Sequence, residues 1–343
     1  MEATIQEWIE KGKNLPVFSG TVVNILRLTN SPDSNISQIA EYIKRDISLT
    51  AAILRIANSP AFGLFNKVAT IDHAIMFLGF KTVRNLAIGL AVLNIFPVNE
   101  KYFLSRVWQR SILTALAARE LCAVAGKKED AFTIGLLHDI GLLAFYVYDK
   151  NKALEILKKA ENAGKMNLDD EKNYIGIDHV EAGRLLAERW KLPEEITLIM
   201  THHHEEPQND LFDPSDGNLF RVIYLASMAG DIFYLGHKSE NIQRFKDGCQ
   251  RLLGISAHDA NQLLKDIHPR LLDVAKCLNV TIESGFTYED ILASINEELL
   301  NITISNEATM HHMTNAIERE KILAVKLEEA NLNLKKMASK DPL

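Results

Sequence analysis

The chain has 343 residues, 47% of them hydrophobic, and a formal charge of -7, so it can bury a large core across two or three domain-sized units and excludes a broad nucleic-acid footprint. Its three cysteines, Cys122, Cys249 and Cys277, are odd in number and outside any CxxC spacing, which argues against a disulfide framework or a zinc knuckle and fits a reducing compartment. The N-terminus "MEATIQEWIEKGKNLP" has no apolar signal core and no run reaches the roughly 18 apolar residues of a span, so the expectation is a cytoplasmic protein without membrane attachment.

Apolar residues recur at three- and four-residue steps almost throughout, which predicts an all-α fold. "SNISQIAEYIKRD" offers Ser34 and Asn35 as caps and sets Ile36, Ile39, Ala40 and Ile43 on one face. Asp46 is placed to cap the next helix, "ISLTAAILRIANS", which ends near Asn58 and is closed by Pro60. Thr70 caps "IDHAIMFLG", Gly79 breaks the pattern, and "FKTVRNLAIGLAVLNIF" is apolar nearly all round, hence central, ending at Pro97. No proline follows until Pro193. "SRVWQRSILTALAAREL", "DAFTIGLLHDIGLLAFYVY", "KALEILKKAENAG" and "DHVEAGRLLAERW" read as packed helices with short connections. Pro193 suits the first turn of "LPEEITLIMTHHHEEP", and a polar loop then precedes "LFRVIYLASMAGDIFYLG". Near the C-terminus Leu323, Leu327, Ala330, Leu334 and Met337 alternate four- and three-residue steps between Glu and Lys, the seam of a coiled coil that would pair with a second copy of the chain.

The chemistry centres on "GLLHDIG". His138 and Asp139 together can bind a divalent metal, but two ligands do not make a site. Further donors are available in His179 and in the run His202, His203, His204, on other helices. Spacing alone leaves open whether these converge on a metal or are hydrogen-bonded core and helix-end histidines.

These phrases resemble a known family. "LPVFSGTVVNILRLTNSPDSNISQIAEYIKRDISLTAAILRIANSPAFG" and "TIDHAIMFLGFKTVRNLAIG", followed in order by "GLLHDIG", "HVEAGRLLAERWKLPEEI" and "HHHEEP", are similar to the HDOD domain, the HD-related output domain of bacterial signalling proteins, over about residues 10–235. The resemblance implies an HD-like helical bundle of two subdomains, related to metal-dependent HD and HD-GYP phosphohydrolases but usually acting as a regulatory or interaction module. Against the catalytic pattern, Arg110 stands in the W-x-H-S place of a first histidine ligand, and Ser227 stands where a closing aspartate is expected. Leu142 replaces a lysine, and the GYP phrase is absent. An arginine has no lone pair to donate and would pair with Asp139 instead. What survives of the metal set is His138, Asp139, His179, His203 and His204. The expectation is therefore a degenerate centre without catalysis, in which a divalent metal is the one cofactor left open.

The closing "LKKMASKDPL" is similar to the junction at which a signalling helix enters a GGDEF domain, the diguanylate cyclase module. The organisation expected is 1–105 for the N-terminal half, 106–238 for the degenerate HD-like half, 239–303 for an accessory helical segment, 304–338 for the coiled-coil helix and 339–343 for the start of a GGDEF domain. The chain would then regulate an attached cyclase in cyclic di-GMP signalling, as a homodimer through the coil, with an upstream protein or ligand input left open. The alternative is a metal-dependent phosphohydrolase acting on a nucleotide or cyclic dinucleotide. A helix-turn-helix reading of "ISQIAEYIKRDISLTAAILRIANS", with Lys44, Arg45 and Arg55, is weaker, because its Ile and Leu positions are better explained as core.

Overall fold

The computed structural model describes residues 4–12, 15–31, 36–64, 66–96, 102–125, 131–207, 216–281 and 287–338. Among them every regular element is a helix, and none is long and apolar enough by itself to cross a membrane. The chain divides into two units, Met1–Glu289 and Asp290–Leu343.

In the first unit, α1 (Ile5–Lys11) and α2 (Gly20–Thr29) are capped by Thr4 and Ser19. Then come α3 (Ile36–Arg45), α4 (Ile47–Ala57), α5 (Ile71–Leu78) and α6 (Phe80–Ile95). Asp46 and Thr70 cap α4 and α5 as expected, each side chain accepting from a backbone N–H three residues on. Ser34, Asn35 and Pro97 lie outside the described residues. Gly79, at φ +84°, takes a conformation open to glycine and turns the chain sharply between α5 and α6. As its unbroken apolar sequence requires, α6 is buried from Leu86 to Leu93.

The second half is built on α7 (Phe103–Val124), buried around almost its whole circumference. Packed on it are α8 (Phe132–Leu137) and α9 (Ile140–Tyr148), followed by α10 (Lys150–Ala163), α11 (Leu168–Ile175), α12 (His179–Trp190), α13 (Glu194–His202) and α14 (Asp216–Tyr234). Next, α15 (Lys238–Leu253) and α16 (Ala257–Leu278) pack back on α14, α7 and α4. Within the stretch 239–303, α15 and α16 lie in the first unit, whose boundary falls after Glu289.

The segment read as one helix over "DAFTIGLLHDIGLLAFYVY" is two. It breaks at His138-Asp139, where Asp139 leaves helical geometry (φ -106°, ψ 21°). Successive side chains on an unbroken helix diverge by about 100°. The break removes that constraint and lets His138 and Asp139 serve one centre.

The second unit consists of α17 (Tyr288–Ala338) from Asp290 onward, with Met310, Met313, Ile317, Ile322, Leu323 and Leu327 exposed. Ala330 is exposed as well, while the side chains of Leu334 and Met337 lie outside the described residues.

Candidate metal centre

Close backbone approaches aim the two halves of "GLLHDIG". A Cβ on Gly135 would stand 2.8 Å from the Ala115 Cα in α7, and one on Gly141 would overlap the His179 carbonyl at the start of α12. Both glycines are therefore demanded by packing rather than by turn geometry. They clamp the α8–α9 break between the helix that carries Arg110 and the helix that begins at His179. On the far side of α7, Gly230 in α14 lets Thr114 and Arg110 lie against its backbone.

The centre so formed is shut off from the surface. Arg110, His138, Asp139, His179 and His203 are all buried, and His204 is partly so. Arg110 Nη1 is ion-paired with Asp139 Oδ2, and Arg110 Nε with Asp231 Oδ1 at 2.8 Å. The same Nη1 lies 3.3 Å from His138 Nε2. His138 Nδ1 faces the Gly135 carbonyl at 2.7 Å; a carbonyl only accepts, so Nδ1 carries the proton and Nε2 is free to accept from Arg110. Burial first, then the Arg110 charge, pull the His138 imidazole well below its usual range and keep it neutral.

The other side of Asp139 differs. His203 Nδ1 donates to the Met200 carbonyl at 2.6 Å, and His179 Nδ1 donates to the buried carboxylate of Glu171 at 2.7 Å. Both Nε2 lone pairs are thereby turned inward, 3.4 Å from each other. His204 Nε2 stands 3.0 Å from His179 Nε2. Asp139 Oδ1 lies 3.4 Å from His179 Nε2 and 3.3 Å from His203 Nε2, and accepts no hydrogen bond from the described residues. Burial, with His179 next, holds His203 down at about 3; burial and the neighbouring imidazoles likewise push His204 well below the ordinary value.

A buried acceptor oxygen without a hydrogen-bond donor among the described residues, faced by the Nε2 atoms of His179 and His203, is a set of donors suited to a cation. One donor atom each from Asp139, His179, His203 and His204 lies within 4.8 Å of the others. Three imidazoles and a carboxylate suit zinc, iron or manganese, and the Glu171 and Met200 contacts are the kind that fix imidazole tautomers around a metal. The residues present fit a single divalent ion.

Of the residues singled out in the sequence, Arg110, His138, Asp139, His179, His203 and His204 come together. His138 Nε2 lies 3.3 Å from Arg110 Nη1 and equally 3.3 Å from Asp139 Oδ2, and His138 is not one of the four mutually close donors. Ser227 takes no part, since its hydroxyl donates to the Tyr224 carbonyl at 2.9 Å. One turn on from it, Asp231 serves Arg110. His202 points away, to Glu205 at 3.0 Å. Sequence reasoning missed Glu171: in "LDDEKNYIG" it looks like one more acidic residue of a solvated helix. The signal was its place one helix before His179, across the turn at Gly176 (φ +106°).

The profile of the HDOD domain matches residues 15–206, more than half of the chain. The chain belongs to the HDOD family. A Treponema pallidum (strain Nichols) protein is 25% identical over 199 residues, covering 57% of this HDOD chain but only 38% of the relative, so the chain spans less than two fifths of that protein's length. A crystal structure from Shewanella amazonensis SB2B, named as a candidate phosphohydrolase, is 27% identical with a TM-score of 0.60, covering 80% of this chain and 98% of its own. An HDOD domain protein from Geobacter sulfurreducens, 22% identical, superposes with a TM-score of 0.52 over 87% of this chain and 94% of its own, and supports the HDOD fold.

Proposed function

We propose that this HDOD chain is a non-catalytic signal-transduction module whose centre is a packed joint between helices, and that it regulates an effector joined through α17, a diguanylate cyclase of cyclic di-GMP signalling. The observation that carries the reading is Arg110. Its guanidinium stands in the place of a first metal ligand, pairs with one Asp139 oxygen and lies 3.3 Å from His138 Nε2, so a fixed cation replaces a donor where the HD enzymes have a histidine. A permanent cation there opposes a second divalent ion and ties α7, α8–α9 and α14 together through Asp139 and Asp231. For the relay, α17 offers exposed Leu323, Leu327 and Ala330 at four- and three-residue steps, the start of a seam suited to a parallel pair of identical helices. Cyclases act as facing pairs of subunits, so the register of such a coil can gate them. Inserting one residue after Ala324 in a chain that carries the cyclase should change its activity; unchanged activity excludes transmission through the coil.

A second reading, a phosphohydrolase, is favoured by the four-donor set and by the name of the Shewanella relative. Asp139, His179, His203 and His204 would hold the ion, Glu171 would orient His179, and Arg110 would steady the other oxygen of Asp139. A divalent metal bound there would supply Lewis acidity and an activated water. The two readings separate in one assay: cyclic di-GMP and bis(p-nitrophenyl) phosphate with manganese or zinc, on wild type and His179→Ala. The expectation is no turnover above the variant's background; turnover lost in the variant establishes the hydrolase.

A further inference from the structure

Away from the histidines, a cavity of about 620 Å³ opens between the α1–α2 segment and the C-terminal end of α12. That volume falls in the range of small-molecule sites, roughly 300–1,000 Å³. Its walls are apolar: Phe18 and Trp190 meet with ring centroids 5.2 Å apart, and Leu26 adds an aliphatic face. Three cations border it, Arg27 from α2 and Arg189 and Lys191 from the end of α12, and no carboxylate belongs to its described lining. In a chain of net charge -7, an apolar hollow whose described lining holds three cations and no carboxylate is locally positive.

The cations are also placed. Arg189 Nη1 donates to the Glu10 carbonyl at 2.7 Å and its guanidinium fills the space above Gly12, where any Cβ would overlap it. Lys191 adopts a left-handed backbone (φ +54°), rare for a side chain of its size, and the Asn30 amide holds its carbonyl at 2.9 Å. This conformation ends α12 and brings Lys191 to the cavity beside Trp190.

We propose that this cavity binds a small amphipathic carboxylate, with its apolar body against Phe18, Leu26 and Trp190 and its anionic head among Arg27, Arg189 and Lys191. Neither a neutral apolar molecule nor a strongly hydrated small anion uses both halves of the site. The site stands apart from the histidine cluster, and the proposal does not depend on whether that cluster binds metal or hydrolyses anything.

The test is a titration with decanoate, with decanol as a neutral probe of the same chain length. It is followed by calorimetry and by tryptophan emission in a Trp8→Phe background, where Trp190 and the buried Trp108 remain, with Trp190→Phe as the control that isolates the Trp190 signal. Expected are saturable one-site binding of decanoate, a change in Trp190 emission, and decanol weaker by about tenfold or more. Arg27→Gln, at an exposed position that does not threaten folding, and Lys191→Asn, which keeps a residue tolerant of the left-handed backbone, should each weaken decanoate several-fold and leave decanol unchanged. Equal affinity for the two probes, decanoate binding indifferent to both substitutions, or the absence of saturable binding overturns the proposal.

Discussion

The two oxygens of Asp139 face different chemistries. Oδ2 meets a fixed, permanently protonated guanidinium, itself steadied by Asp231; Oδ1 meets the imidazoles of His179 at the start of α12 and His203 just past α13, at 3.4 and 3.3 Å, and accepts no hydrogen bond from the described residues. On the first side the counter-charge is part of the covalent chain and cannot leave. On the second it has to be supplied, as a proton or as a metal. The contrast rests on one arginine, which makes half of the site permanent and leaves the other half conditional.

The strongest way to break the comparison is to remove the permanent half. Arg110→Met keeps much of the side chain's bulk but strands the Asp139 carboxylate, which is 1% exposed, with no cation on its Oδ2 side. Uncompensated buried charges typically cost about 3–5 kcal/mol. Urea unfolding in the presence of chelator should show a loss of that order, partly recovered when Asp139→Asn is added to the same chain. A loss within the range of an ordinary surface substitution would mean that Arg110 is not the counter-charge of Asp139.

Acid probes the conditional half. Unfolded histidines take up protons near pH 6.5. In the folded chain burial keeps His138 and His204 neutral to much lower pH, and His203 to about 3. Below pH 6.5 the unfolded state therefore binds more protons than the folded one. The stability these groups contribute is complete above about pH 6.5 and falls as the pH drops toward 3, with a slope of up to about 1.4 kcal/mol per pH unit for each histidine that behaves so. Denaturation curves of the metal-free protein at pH 7, 6, 5 and 4 measure this. A flat profile would show that the imidazoles already share protons in the folded state.

Much of this was legible in the sequence, for reasons particular residues make plain. Helical periodicity is strong because each helix buries one stripe or, for α6 and α7, its whole surface. Asp46 and Thr70 announce helix starts because their side chains have no better use than the free N–H groups in front of them. The motif order exposed Arg110 as the odd residue, and its chemistry pointed to Asp139. Illegible were the facts that depend on one backbone touching another. The α8–α9 break follows from helices on two sides, not from any helix breaker in "GLLHDIG", and Glu171 acquires its role only when α11 folds back beside α12. The cavity at Trp190 was unreadable too, since Arg27 and Phe18 lie far along the chain from Arg189, Trp190 and Lys191.

Those backbone contacts give a smaller but sharper test. Gly141→Ala adds one methyl where the His179 carbonyl already sits, and overpacking of this kind costs about 1–3 kcal/mol. Since α12 must shift to admit the methyl, the substitution should weaken zinc or manganese binding together with stability. At Gly176, where nothing lies within reach of an added Cβ, alanine meets backbone strain but no packing conflict and should leave metal binding alone. Equal effects at the two glycines would remove the clamp from the account of the centre.

The gentlest test leaves the donors in place and changes only what orients them. Glu171 accepts from both the backbone N–H and the Nδ1 of His179, each at 2.7 Å through Oε2. Glu171→Gln conserves the shape but exchanges a charge-assisted acceptor for a neutral amide, so His179 loses both basicity and a fixed tautomer. Metal affinity measured by calorimetry should fall by about 10- to 100-fold, the usual effect of losing such an orienting partner. His138→Ala belongs in the same titration, because its Nε2 lies between Arg110 and Asp139 Oδ2 and it stands outside the four-donor set. With His138 dispensable and Glu171 required, the division at Asp139 holds; the opposite pattern would put His138 among the ligands and Arg110 outside the centre's working geometry.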